Sequence, residues 1–152
     1  MHLDETDKRL LKLLQTDCKQ TTKALSHNLG LSVTAVYERV KKLENQGVIN
    51  SYVALLDKHK IDKDFVAFCH VKLTQHTQEY VVQFEREVAK LAEVLECYHI
   101  SGDYDYLLKV LVEDMEAFRD FMVKKLTTIS HIGSTHSMFM INEVKHTTQI
   151  VI

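Results

Sequence analysis

Leu31-Ser32-Val33-Thr34-Ala35-Val36-Tyr37-Glu38-Arg39-Val40-Lys41-Lys42-Leu43, running on to Gly47, decides how the first third of this chain folds. Ser32 stands where a side-chain oxygen can cap the free N–H groups of a helix, and Val36, Val40 and Leu43 recur at the spacing of one helical face. Immediately upstream, Thr22 to Leu29 reads as a helix with Thr21 as its cap and Ala24, Leu25 and Leu29 turned inward. It stops at Gly30, a residue that accepts left-handed backbone. Further upstream, Leu3 to Gln15 has Asp4 as its cap, Asp7 as an acid of the first turn, and Leu10, Leu11 and Leu14 on one side. Three short amphipathic helices, with Gly30-Leu31-Ser32 as the turn between the last two, predict a helix-turn-helix.

In that motif the second helix of the pair enters the major groove with its N-terminal residues at the base edges. Ser32, Thr34, Ala35, Tyr37, Glu38, Arg39, Lys41 and Lys42 are therefore the candidate DNA-binding residues. Thr34, Tyr37 and Glu38 suit base edges, whereas Lys41 and Lys42 lack the bidentate fork of arginine and suit phosphates. Arg39 lies beside the packed face and has a second reading, as the partner of an acid inside the domain. Residues 1–50 hold eight Lys or Arg against six acids, while the rest of the chain is net acidic. The basic excess is small, so one such domain would bind weakly and salt-sensitively, and a dimer presenting two half-sites is implied.

Composition narrows the remaining classes. The chain is long enough for two small domains, and 45% apolar residues support ordinary packed cores. No apolar run approaches the roughly 18 to 20 residues of a membrane span, and charges at Asp4 and Glu5 argue against a signal peptide. A cytoplasmic protein is expected. Cys18, Cys69 and Cys97 are odd in number and widely spaced, which suits reduced thiols. The nine histidines show no metal-ligand spacing, and no phosphate loop, dinucleotide fingerprint or nucleophile motif is present. No cofactor, metal or catalysis is expected.

After Gly47, residues 48–56 are rich in β-branched and aromatic side chains and predict a connecting strand; residues 57–64 are charged and read as a linker. Phe65 to Leu73 alternates as a strand, with Phe65, Ala67, Cys69, Val71 and Leu73 on one face. Glu79 to Leu91 carries Val81, Phe84, Val88 and Leu91 as a helical stripe. Val94 to Ser101 and Asp105 to Val112 form a hairpin about Gly102-Asp103-Tyr104. Asp114 caps a helix that buries Met115, Phe118, Phe121, Met122 and Leu126, and Ile132 to Ile141 supplies the fourth strand. The order β-α-β-β-α-β is the split-βαβ, ferredoxin-like unit, an antiparallel sheet with both helices on one face. Its other face is expected to be uncovered and apolar at Val66, Phe68 and Tyr98, and such a face calls for a partner. The tail, Val144 to Ile152, reads as one more extended segment that can cross to a neighbouring subunit. The expected division is a DNA-binding domain at 1–50, a connector at 51–63 and a ferredoxin-like domain at 64–152.

The whole chain resembles the Lrp/AsnC, or feast-famine, transcriptional regulators. The resemblance is carried by Leu3-Asp4-x-x-Asp7, Leu29-Gly30-Leu31-Ser32, Glu38-Arg39-Val40-Lys41-Lys42-Leu43-Glu44-x-x-Gly47-Val48-Ile49, Glu96-Cys97, Ser101-Gly102-Asp103-Tyr104-Asp105-Tyr106-Leu107-Leu108 and Glu143-Val144-Lys145. Val33 departs from the pattern, since many members have Pro there, and the helix start then relies on the Ser32 cap. The resemblance implies an α+β chain in which a winged helix-turn-helix precedes a ferredoxin-like (RAM) domain that senses small molecules, commonly amino acids. It also implies dimers that assemble to octamers or related discs on double-stranded DNA. Taken alone, Gly102-Asp103-Tyr104-Asp105 reads first as a tight turn in which Asp103 caps its own backbone. The resemblance turns the reading toward an effector site at an interface between C-terminal domains. Asp105 is then first choice for the ammonium group, Gly102, Asp103 and Tyr104 lie around it, and Thr135, His136 and Ser137 come from the facing strand. His99 and His131 are possible neighbours. Two other functions remain open at this point, a DNA-wrapping protein with no effector and a metabolite-binding module whose N-terminal domain no longer engages DNA.

Overall fold

Asp4 starts the first helix, α1 (Glu5–Thr16), in the computed structural model, which describes residues 2–152. Its carboxylate accepts the Asp7 N–H at 2.7 Å, and the Asp7 carboxylate reaches back to the Asp4 N–H at 3.4 Å, a reciprocal cap that satisfies two orphan donors. α2 (Thr22–Leu29) is capped by Thr21 and ends at Gly30, whose φ of +68° is cheap only for a residue without Cβ. α3 (Val33–Asn45) is capped by Ser32, whose hydroxyl accepts the Ala35 N–H at 3.1 Å. Leu10, Leu11, Leu25, Leu29, Val36 and Leu43 are buried together, and Val40, Val48 and Ile49 pack against them.

The expected strand at 48–56 is not formed. A strand needs a ladder partner, and the chain supplies none there, so Tyr52, Val53, Leu55 and Leu56 remain exposed. The Tyr52 hydroxyl instead donates to Glu44 at 3.1 Å, and partial desolvation of that hydroxyl together with the bond pushes its pKa up to about 12. The linker contains one 3₁₀ turn, Lys58–Ile61, opened by Asp57.

β1 (Phe65–Leu73), α4 (Gln78–Val88), β2 (Val94–His99), β3 (Tyr106–Val112), α5 (Met115–Lys124) and β4 (Ile132–Phe139) follow in the expected order. The sheet runs β2-β3-β1-β4 with every neighbouring pair antiparallel. Ala67, Cys69, Val71, Leu73, Tyr106, Leu108, Val110 and Val112 line its inner face, covered by Phe84 and Val88 of α4 and Phe118 and Phe121 of α5. Period-2 alternation on the strands and helical spacing on the helices therefore meet in one core. Three expectations change. Val66 is only 4% exposed, so the open face of the sheet is narrower than its apolar pattern suggests. Met115, in the first turn of α5, is half exposed, and the fourth strand ends at Phe139, leaving Ile141 fully exposed.

By its internal contacts the chain forms two units, one comprising residues up to Leu55 together with Val144–Ile152, the other Leu56–Glu143. Residues 144–152 thus pack with the three helices, not with the domain whose last strand they follow. Ile152 lies against the helical core, and Ile150 pairs with Gln15. Among the described residues no helix is long and apolar enough to cross a membrane.

Candidate nucleic-acid interface and effector loop

α3 buries Val36 and Leu43 and presents Thr34, Tyr37, Glu38, Lys41 and Lys42 to solvent, with Ser32 exposed at the cap and Ala35 partly covered. Each basic side chain of this helix is met by an acid. Arg39 Nη1 donates to Asp7 at 2.6 Å and to Asp4 at 2.7 Å, and Lys42 Nζ lies 3.4 Å from Asp7. Lys41 Nζ pairs with Glu44 at 2.7 Å and stands 5.9 Å from the Tyr37 ring centroid. Asp7 is fully buried, and only the two cations of α3 and its place in the first turn of α1 make that tolerable. The bond from Arg39 also holds the Asp4 carboxyl below the usual carboxylate range. Of the two readings open for Arg39, the geometry is that of an internal clamp joining α1 to α3. Lys19 and Lys23 are exposed and without an ion pair among the described residues; Lys19 stands where the resembled family often has Arg, whereas Lys23 is marked by its charge alone.

The hairpin loop of the second unit is shaped by Gly102 at φ +120°, with open space where a Cβ would stand. Asp103 is exposed there and makes no hydrogen bond among the described residues. Tyr104 stacks on His70 with centroids 4.9 Å apart and lies 6.2 Å from His136, so three rings from a loop and two strands cluster on the open face of the sheet. His70 Nδ1 is buried there without a partner. His136 is the direct cross-strand partner of His70; Thr135 and Ser137 pair with Val71 and Cys69, which belong to the core, and so lie on the helix-covered face. The three residues expected from β4 therefore do not share one surface. His99 stacks on Tyr106, and His131 stacks on Tyr80.

Asp105 is engaged within the fold. Its carboxylate accepts the Leu73 N–H at 2.7 Å and a bond with His76 Nδ1 at 3.0 Å, and its own N–H donates to the Val71 carbonyl at 2.9 Å. Burial pushes its pKa up, but the Leu73 N–H and His76 outweigh that and leave it below the ordinary value. Asp105→Ala should orphan the Leu73 donor and cost the second unit about 1 to 3 kcal/mol, read from urea unfolding at neutral pH. Because the folded-state pKa is depressed, the stabilisation is present above about pH 4 and lost as pH falls through the lower folded value. The gap between wild type and variant should accordingly narrow on acidification.

Burial raises the Cys69 thiol, and partial desolvation together with Glu85 pushes that of the exposed Cys97 up to about 11. Among the described residues no group of three or more His, Cys, Asp or Glu is arranged to hold a metal.

Comparisons with known proteins match two family models to the chain. A model described as winged helix-turn-helix DNA-binding matches residues 3–50, and one described as Lrp/AsnC ligand binding domain matches residues 66–150. Together they define a DNA-binding regulator with a separate ligand-binding domain. The leucine-responsive regulatory proteins of Salmonella typhimurium and Escherichia coli are each 38% identical over 150 residues, covering 99% of this chain and 92% of the relative. A transcriptional regulator from Neisseria meningitidis, solved as an L-Met complex, superposes with a TM-score of 0.93 at 33% identity, covering 98% of this chain and 96% of that one. An AsnC family regulator from Agrobacterium tumefaciens gives 0.93 at 34% identity, with coverage of 97% and 96%. The chain belongs to the Lrp/AsnC family of transcriptional regulators.

Proposed function

We propose that the protein is an effector-responsive transcription factor of the cytoplasm. It pairs as a homodimer, assembles further toward an octamer, and changes its grip on double-stranded DNA when an amino acid binds between C-terminal domains. The observation that carries the DNA-binding half is the exposed rank Thr34, Tyr37 and Glu38 on a short helix whose opposite face is buried. These side chains take the base edges, with Ser32 and Ala35 at the helix start. Lys19 and Lys23 take phosphates, joined by Lys41 and Lys42 at the cost of their internal acids. Arg39 positions the helix and does not read it.

For the effector, Asp103 is the carboxylate left open for an ammonium group, since Asp105 is occupied by Leu73 and His76. The backbone at Gly102 allows close approach by a carboxylate, and the rings of Tyr104, His70 and His136 form a wall beside it. The neighbour solved with L-Met supports an amino acid as the class. A ligand that prefers the native state raises the melting temperature by mass action. In a thermal-shift panel of the twenty amino acids, at least one should raise the melting temperature of wild type by a few degrees and lose the effect in Asp103→Ala. A full set without a shift, with DNA footprints unchanged by any amino acid, would instead favour the effector-independent wrapping protein.

A further inference from the structure

The chain leaves the DNA-binding unit after Leu55 and returns to it at Val144, so the sheet domain is an insertion joined to the helical head by two covalent crossings. Just beyond the first crossing, Lys58 Nζ lies 2.8 Å from Glu143, the residue just before the second; the Lys58 side chain is 17% exposed. Both belong to the sheet-containing unit, and their pair pins the outgoing and returning segments together there. The return is short, since β4 ends at Phe139 and only residues 140–143 precede Val144.

The returning segment is seated on α1. The Ile150 N–H donates to Gln15 Oε1 at 2.6 Å, Gln15 Nε2 donates to the Ile150 carbonyl at 3.0 Å, and Gln149 Nε2 reaches the Gln15 carbonyl at 3.4 Å. Paired donation and acceptance at one residue imitates one rung of a β-ladder and fixes the axial position of the segment. Ile152 closes the contact against the helical core, at the rim of a groove of about 710 Å³ lined by Leu11, Leu14, Val48, Ile49 and Tyr52.

We propose that residues 144–152 are a return strap that restrains the DNA-binding head, so that DNA affinity depends on the length of the strap as well as on its contacts. This rests on the DNA-binding reading above. A head on one flexible linker samples many orientations and loses them when it docks; a second, short tether removes most of them beforehand, and the two heads of a dimer then meet successive half-sites at a higher effective concentration. Tether length is thereby a variable separate from packing.

The test compares full-length protein with two variants, one with Gly-Ser-Gly-Ser inserted between Glu143 and Val144, the other ending after Glu143. Affinity is measured by fluorescence anisotropy on a labelled duplex from upstream of the protein's own gene, and hydrogen exchange is followed in α1. The insertion should leave protection around Gln15 unchanged while affinity falls about fivefold or more. The truncation should lose that protection and bind no better than the insertion variant. An insertion variant that binds within about twofold of wild type, or a truncation that leaves α1 exchange unchanged, overturns the strap. Wild type that binds no duplex overturns the DNA-binding reading itself, a result distinct from equal binding by wild type and insertion variant.

Discussion

Asp7→Ala is expected to lower the stability of the N-terminal unit by about 2 to 3 kcal/mol, less than the roughly 3 to 5 kcal/mol of a fully buried pair because Arg39 and Lys42 can rehydrate in part. The substitution removes the second half of the reciprocal cap on α1 and the shared acceptor of two α3 cations. Arg39 keeps Asp4, so the helix pair loosens without losing its whole clamp. Urea unfolding followed by hydrogen exchange of α1 to α3 gives the number. Asp7→Asn, which keeps the shape and drops the charge, should fall between wild type and alanine. A loss below about 1 kcal/mol would put the clamp among ordinary surface ion pairs, whose net worth is small. Affinity for DNA should fall alongside, because a recognition helix free to roll presents Thr34, Tyr37 and Glu38 in many registers.

Phe84→Ala should act on the other unit and by more. Phe84 is fully buried in α4 with its ring 4.5 Å from that of Tyr106, the buried first residue of β3. Truncating a buried phenylalanine costs about 3 to 5 kcal/mol, from lost transfer energy and the cavity left behind. At about 4 to 8 °C per kcal/mol for a domain of this size, the melting temperature of the sheet domain should drop by at least about 12 °C. Tyr106 also donates to Glu85 at 2.9 Å, and the cavity loosens that bond next to His99, so amino-acid-dependent melting should weaken with the fold. Calorimetry, with exchange read separately for β1 to β4 and for α1 to α3, is the check. A drop under about 4 °C would mean that neighbouring side chains collapse into the space and that this ring is not central to the core.

What the sequence discloses here follows the range of the forces. Helix starts depend on a residue and its neighbours three positions on, and Asp4, Thr21, Ser32 and Asp114 all cap where their spacing predicts. The βαββαβ order is legible for the same reason, since periods of 2 and 3.6 are local and the connections are short. Arg39 shows where locality ends. Its spacing places it beside the packed face, but whether it turns outward depends on acids 35 and 32 positions upstream. The carboxylate of Asp105 is claimed by Leu73, 32 positions away, and no motif in the loop signals it. The stretch 48–56 reads as a strand because it has the composition of one, yet a ladder needs a second strand. Thr135, His136 and Ser137 are a different case, because alternation along a strand already sends the middle residue to the opposite face from its neighbours. Residues 144–152 read as an extended segment that can cross to a neighbouring subunit, yet within this chain they seat on α1, because an extended apolar segment pairs with whichever surface is offered and α1 offers Gln15.

On the proposed reading Thr34, Tyr37 and Glu38 of α3 meet base edges while Lys19 and Lys23, with Lys41 and Lys42, hold the backbone. Anisotropy titrations of wild type, the Tyr37→Ala, Glu38→Ala double variant and Lys23→Ala, on the protein's own upstream duplex and on a scrambled duplex over a range of salt, test it most directly. The double variant should lose about tenfold or more in discrimination with an unchanged salt slope, and Lys23→Ala should weaken both duplexes equally and flatten the slope by about one. Discrimination that survives the loss of both Tyr37 and Glu38 would mean that α3 does not read the bases.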